Sequence, residues 1–207
     1  IAITAVIVSL LSPILGAIAD KGGYRKIFLA LTTYISIGAT ALLFFPIKGQ
    51  ILFALILVVI ANVNFELGGV FYNAYLPEIV SLKKIGRISG IGWGAGYLGG
   101  LLAMLVAMVG FVSPDVPWFG LNIDTGEHIR ATNILVAAWF FIFTLPAILY
   151  LKEKKVESAN RIGIVVLNSI QALKKTFQEI KIYKNTVRFL ISRLIYNDGL
   201  VTIFAFG

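Results

Sequence analysis

Six apolar stretches, each about long enough to cross a bilayer, constrain this chain more than any other feature of its sequence. A bilayer core about 30 Å thick needs roughly 20 apolar residues per helix. Backbone groups in lipid must be bonded within their own segment, so each stretch is predicted to be an α-helix. The predicted spans cover residues 1–19, 27–47, 51–75, 88–112, 132–151 and 186 onward. The predicted fold class is therefore all-α, a polytopic integral membrane bundle.

Composition indicates contact with lipid. Charged residues make up 14% of the chain, whereas a soluble domain carries about 25%. The balance is basic, with 18 Lys and Arg against 10 Asp and Glu, and such a balance can indicate nucleic-acid binding. Here the basic residues lie between the apolar stretches, as membrane topology requires. We therefore expect a lipid bilayer as a partner and no nucleic acid.

The loops between the stretches alternate in charge. Lys and Arg dominate the loops after the first, third and fifth stretches, whereas acidic residues outnumber Lys and Arg after the fourth. Because basic loops stay in the cytoplasm, these three loops are predicted to be cytoplasmic. The predicted location is multi-pass in a membrane: the cell membrane in a prokaryote, or the vacuolar or another internal membrane in a fungus.

The loop after the first stretch carries the most specific motif. Residues 16–26 read GAIADKGGYRK, in which two adjacent glycines permit a tight turn. This segment resembles the signature loop of the major facilitator superfamily of transporters, and all six defined positions are filled. The resemblance implies a gating role for Gly16, Asp20, Lys21, Gly23, Arg25 and Lys26.

Weaker strings narrow the resemblance to one branch of that superfamily. They are FYNAYLPEI at 71–79, RISG at 87–90, GYLGG at 96–100 and YNDG at 196–199. Together they resemble the vacuolar effluxer-like branch, whose fungal members export amino acids from the vacuole. The resemblance implies a twelve-helix carrier of which these are the second to seventh helices.

This mapping implies three parts. Residues 1–151 would be the remainder of the N-terminal transmembrane half with five helices, 152–185 a cytoplasmic linker, and 186–207 the truncated first helix of the C-terminal half. The linker repeats apolar residues every three or four positions, which predicts an amphipathic helix. It is expected to lie on the inner membrane surface or on the cytoplasmic helix ends. The repeating residues are Ile162, Val166, Ile170, Leu173, Phe177 and Ile180.

Polar residues within the apolar stretches are the candidates for a substrate or ion path. A charge at the bilayer centre costs roughly 2.5–3.5 kcal/mol on insertion scales, so it usually faces a cavity or a partner. Helical spacing places Asn62, Glu66 and Asn73 on one stripe of the third stretch. In the last stretch the candidates are Arg193, Asn197 and Asp198. A structural ion pair without a role in transport is the alternative.

A glycine stripe in the fourth stretch is interpreted as a packing face. Residues 94–99 fit a dinucleotide fingerprint, but that fingerprint needs a preceding strand. Gly92, Gly96 and Gly100 lie four apart on one helix face, where small residues let membrane helices approach closely.

The sequence contains no catalytic or metal-ligand set and no cysteine. We therefore expect no enzyme, no metal and no cofactor. The predicted function is secondary active or facilitative transport of a small solute, such as amino acids, by alternating access, with a proton or other ion as a coupling partner. The alternatives are a membrane receptor or scaffold that keeps the fold, and an intramembrane enzyme, which the missing catalytic residues disfavour.

Overall fold

The structure, a computed structural model, describes residues 2–152, 162–179 and 184–206. These residues form α-helices and contain no strand, so the all-α prediction is confirmed. The chain divides into two units, Ile1–Ala159 and Asn160–Gly207. The helices are α1 (Ala2–Gly22), α2 (Arg25–Leu42), α3 (Ile51–Ile79), α4 (Ile85–Ala107), α5 (Glu127–Tyr150), α6 (Ile162–Gln178) and α7 (Lys184–Phe206).

Four helical stretches of the described residues are long and apolar enough to cross a membrane. They are Ile3–Gly22, Ile51–Ile79, Leu82–Val112 and Glu127–Tyr150. The predicted second and last spans correspond to α2 and α7, which fall outside this group. Helix α2 has 18 residues, begins with Arg25 and Lys26 and contains several hydroxyl side chains. Helix α7 carries charges along its length. For these two helices, membrane crossing stays a prediction.

Helix α2 packs against both α3 and α5, and α1 packs against α3. The buried residues of α2 recur at helical spacing and are mostly small: Leu29, Thr32, Thr33, Ser36 and Ala39. Small residues allow two helix backbones to approach closely. The Ser36 hydroxyl donates a hydrogen bond to the Ala61 carbonyl at 3.0 Å, and a Cβ on Gly68 would lie 3.4 Å from the Thr32 hydroxyl oxygen. Helices α2 and α3 therefore pack closely against each other.

An apolar core joins α1, α2 and α3. The rings of Phe28 and Phe71 stack with centroids 5.3 Å apart. The buried members of this core are Ala19, Leu29, Val63, Leu67, Phe71 and Tyr75. One face of α3 is buried in this core. The opposite face of α3 lies outside the core.

The loop between α4 and α5 is held by ring packing and by one arginine. A Cβ on Gly110 would lie 2.6 Å from the Trp118 ring, so any other residue there would force that ring to move. Arg130 Nε donates to the Phe44 carbonyl at 2.9 Å, and its Nη1 donates to the Thr125 carbonyl at 2.7 Å. Arg130 thus joins the end of α2, this loop and the start of α5.

Candidate functional site

The signature loop, residues 16–26, is a tight turn between α1 and α2. Gly23 has a φ of +68°, a left-handed conformation that favours glycine. The Tyr24 amide donates to the Ala19 carbonyl at 3.0 Å. A Cβ on Gly22 would overlap the Tyr24 ring, whereas one on Gly16 would meet nothing within 4 Å. The turn therefore favours glycine at 23, and a side chain at 22 would force the Tyr24 ring to move.

Arg25 contacts two carboxylates, those of Asp20 and Glu78. Its Nε donates to Asp20 Oδ1 at 2.5 Å, and its Nη1 donates to Glu78 Oε1. The Arg25 and Glu78 side chains are 23% and 19% exposed, whereas Asp20 is 52% exposed. The network therefore joins the end of α1, the start of α2 and the last turn of α3.

The electrostatics of this network keep Arg25 charged. Burial lowers the pKa of Arg25, but the hydrogen bonds and negative charges of Asp20 and Glu78 outweigh burial, so the net pKa is raised. A cation at a helix N-terminus is otherwise unfavourable because the helix dipole is positive there. The two carboxylates offset this repulsion.

Glu78 is the functional candidate that the sequence interpretation missed. It lies in the string at 71–79, which carries the family resemblance. Its pairing with Arg25 spans 53 positions of the chain, so no local pattern reveals it. The available signal was a carboxylate at the end of a membrane span that borders a basic loop.

The remaining signature residues lie on the helix ends on either side of the turn. Lys21 is exposed in the last turn of α1, and Lys26 is half-buried in the first turn of α2. Gly16 precedes Asp20 by one helical turn. The gating role of all six signature positions stays a prediction.

The polar stripe of α3, defined as Asn62, Glu66 and Asn73, lies on the exposed face of that helix. On the opposite side of α3, Leu67 and Phe71 are buried in the core. The stripe is thus turned away from the α1 and α2 packing, as a path-lining surface requires.

The other half of the predicted path belongs to the second unit. Arg193 is exposed on α7. Asn197 and Asp198 also lie in α7, but their side chains are outside the described residues. The contribution of these three residues to a path stays a prediction.

The glycine stripe of α4 meets no neighbour among the described residues. A Cβ on Gly92, Gly96 or Gly100 would have nothing within 4 Å. A Cβ added to the adjacent Gly99 would lie 3.9 Å from Trp139 Nε1. Close packing against the glycine stripe therefore stays a prediction. Within the described residues, no group of three or more His, Cys, Asp or Glu side chains could hold a metal ion.

Comparison with known proteins assigns the chain to a family. Residues 1–206 match the family described as vacuole effluxer Atg22 like. The chain belongs to this family. The match covers both the signature loop and α3, and it confirms the branch that their residues resembled.

Two kinds of relative support the assignment to the Atg22-like family. An uncharacterized MFS-type transporter, YxiO of Bacillus subtilis, is 27% identical over 203 residues, which are 98% of this chain and 46% of that protein. Autophagy-related protein 22-1 of Neosartorya fischeri is 26% identical over 132 residues, 59% of this chain and 20% of that protein. Autophagy-related protein 22 of Yarrowia lipolytica is 24% identical over 166 residues, 69% of this chain and 26% of that protein.

The Atg22-like chain spans about half the length of its bacterial relative and less of the fungal ones. No solved structure matches it. Its family is described as an effluxer family and its bacterial relative is named an MFS-type transporter, so neither is described as an enzyme. Together with the four candidate spans, they place the chain in a membrane as a multi-pass protein.

Proposed function

We propose that the protein containing this chain moves a small solute across a membrane by alternating access, as a secondary active or facilitative transporter. The observation that carries the proposal is the polar stripe of α3. Asn62, Glu66 and Asn73 share an exposed face of a candidate membrane span whose opposite face is packed. The transporters among its relatives support the same class.

The cost of placing Glu66 in lipid argues for a water-lined path. A carboxylate near the bilayer centre costs roughly 2.5–3.5 kcal/mol on insertion scales. Glu66 lies about fifteen residues after the start of α3, roughly 22 Å along the helix axis, so it is well within the span. The two asparagines offer hydrogen bonds to a polar solute on the same face. Glu66 then serves to bind a coupling ion or a cationic group of the solute.

The charge network of Arg25 supplies a candidate gate for this path. It joins α1, α2 and α3 at the side predicted to be cytoplasmic. Charge-assisted hydrogen bonds are about twice as strong as neutral ones, so this network links the three helix ends. Rocking of one helix bundle against another is how such carriers expose a central site to each side in turn.

The test is transport by the full-length protein in proteoliposomes, with amino acids as the first solutes. Glu66→Gln should abolish uptake driven by a pH gradient if Glu66 carries the coupling proton, while exchange of solute continues. Glu66→Asp keeps the carboxylate and should keep gradient-driven uptake. Wild-type uptake and coupling in Glu66→Gln would remove Glu66 from the mechanism.

The second candidate is a receptor or scaffold that keeps the fold without transport. It has no need of three polar side chains on one exposed face of α3. It predicts a protein that folds and inserts normally and moves no solute in either direction. Such a result with purified, correctly oriented protein would favour it.

A further inference from the structure

Helix α6, Ile162–Gln178, carries exposed apolar side chains beside exposed lysines. Val166 is partly exposed and Ile170, one turn later on the same face, is 48% exposed, and Lys174 and Lys175 are exposed as well. We propose that α6 binds the surface of an anionic bilayer, with Ile170 in the interface and the lysines among the headgroups. This contact is independent of the solute path and of its proposed function.

The charge around α6 complements an anionic membrane. From Lys152 to Lys184 the sequence has eight Lys or Arg residues and three glutamates. One of these glutamates, Glu179, forms an exposed ion pair in which its Oε1 lies 3.8 Å from Lys175 Nζ. Exposed ion pairs of this kind are weak. Each Lys or Arg near an anionic surface strengthens binding roughly fivefold. The basic excess therefore selects anionic lipid.

The chain keeps α6 close to a bilayer. Helix α5 is a candidate membrane span that ends at Tyr150, and α6 begins at Ile162. A fully extended segment of this length reaches at most about 40 Å. Binding of α6 to the membrane is then an intramolecular event with a high effective concentration. A modest intrinsic affinity is enough.

The geometry of α6 provides a matched pair of probe positions. Val166 and Ile170 are four residues apart and share one face. Gln171, the next residue, is turned by about 100° and is exposed. A helix lying flat in the interface immerses the first face and leaves Gln171 in water.

The experiment places a spin label at Ile170→Cys or at Gln171→Cys in the full-length protein without other cysteines. The protein is reconstituted in nanodiscs of phosphatidylglycerol or of phosphatidylcholine. In phosphatidylglycerol the label at 170 should be reached by oxygen and protected from a water-soluble nickel chelate. The label at 171 should be reached by nickel in both lipids. In phosphatidylcholine the label at 170 should become more accessible to nickel.

A charge reversal tests whether the lysines cause the contact. Lys174→Glu with Lys175→Glu should lower the bound-to-free ratio of α6 in phosphatidylglycerol by at least about 30-fold, the loss of two lysine attractions. Lys83→Glu with Lys84→Glu changes net charge equally in another loop and should leave the label at 170 unchanged.

Two results would overturn the proposal. A label at 170 shielded from both oxygen and nickel in both lipids, with or without the lysines, would mean that α6 packs on protein. A label at 170 reached by nickel under all conditions would mean that α6 is a solvated linker.

Discussion

Arg25 holds two carboxylates whose environments differ. Glu78 is 19% exposed and Asp20 is 52% exposed. Solvent and salt screen an exposed pair strongly, so the bond from Arg25 to Glu78 contributes more to stability than the bond to Asp20. The pairing with Glu78 also joins helices that are distant in sequence, which makes it the more important contact for a gate.

Removing the charge of Glu78 should therefore have a larger effect than removing that of Asp20. Glu78→Gln should lower the free energy of unfolding by about 1–2 kcal/mol, and Asp20→Asn by less. Thermal unfolding of the full-length protein in detergent measures both. Asp124→Asn, which neutralises an exposed carboxylate of the loop between α4 and α5, is the control and should have little effect. Equal losses in the Glu78 and Asp20 variants would contradict the ranking by burial.

Among the helices, α2 shows how far sequence patterning reaches. The apolar stretch at 27–47 predicted a span, but α2 ends at Leu42. Its Thr32, Thr33 and Ser36 lower its hydropathy because they form the contact with α3. The length of the apolar stretch predicted the helix, whereas the hydroxyl side chains within it follow from its contact with α3.

The polar stripe and the glycine stripe illustrate the same limit. Helical spacing alone placed Asn62, Glu66 and Asn73 on one face, and the structure exposes that face. Spacing also placed Gly92, Gly96 and Gly100 on one face, but it did not identify what packs there. The close contact lies instead at Gly68, where no glycine repeat gives a signal. A one-dimensional pattern defines a face, and only the packed structure identifies its neighbour.

Packing between α2 and α3 gives a prediction at this scale. Gly68→Leu should lower the free energy of unfolding by about 1–3 kcal/mol, because a side chain there would meet Thr32 and Thr33. Gly69→Leu adds the same side chain where nothing lies within 4 Å and should leave stability nearly unchanged. Unfolding in detergent compares the two. Equal stability of the two variants would mean that α2 and α3 do not pack as described.

For the whole molecule, the charge of the loops predicts orientation. In right-side-out vesicles, a tag near Lys84 should be protected from an impermeant reagent, because the Lys-rich loop before α4 is predicted to be cytoplasmic. A tag near Asp124, in the loop between α4 and α5, should be accessible. Opening the vesicles should make both tags reactive. Labelling at Lys84 with protection at Asp124 in sealed vesicles would reverse the topology.

The most direct test of the account asks whether the polar stripe of α3 is reached by water from both sides of the membrane. The measurement is the rate at which an impermeant thiol reagent modifies Asn62→Cys in the full-length protein, added from each side in turn. Val63→Cys, on the buried face of the same helix, is the control. We expect modification of Asn62→Cys from both sides and little of Val63→Cys, with Arg25→Ala raising the rate from one side and lowering it from the other. An Asn62→Cys as unreactive as Val63→Cys, or one reached from a single side and unaffected by Arg25→Ala, would contradict alternating access at this stripe.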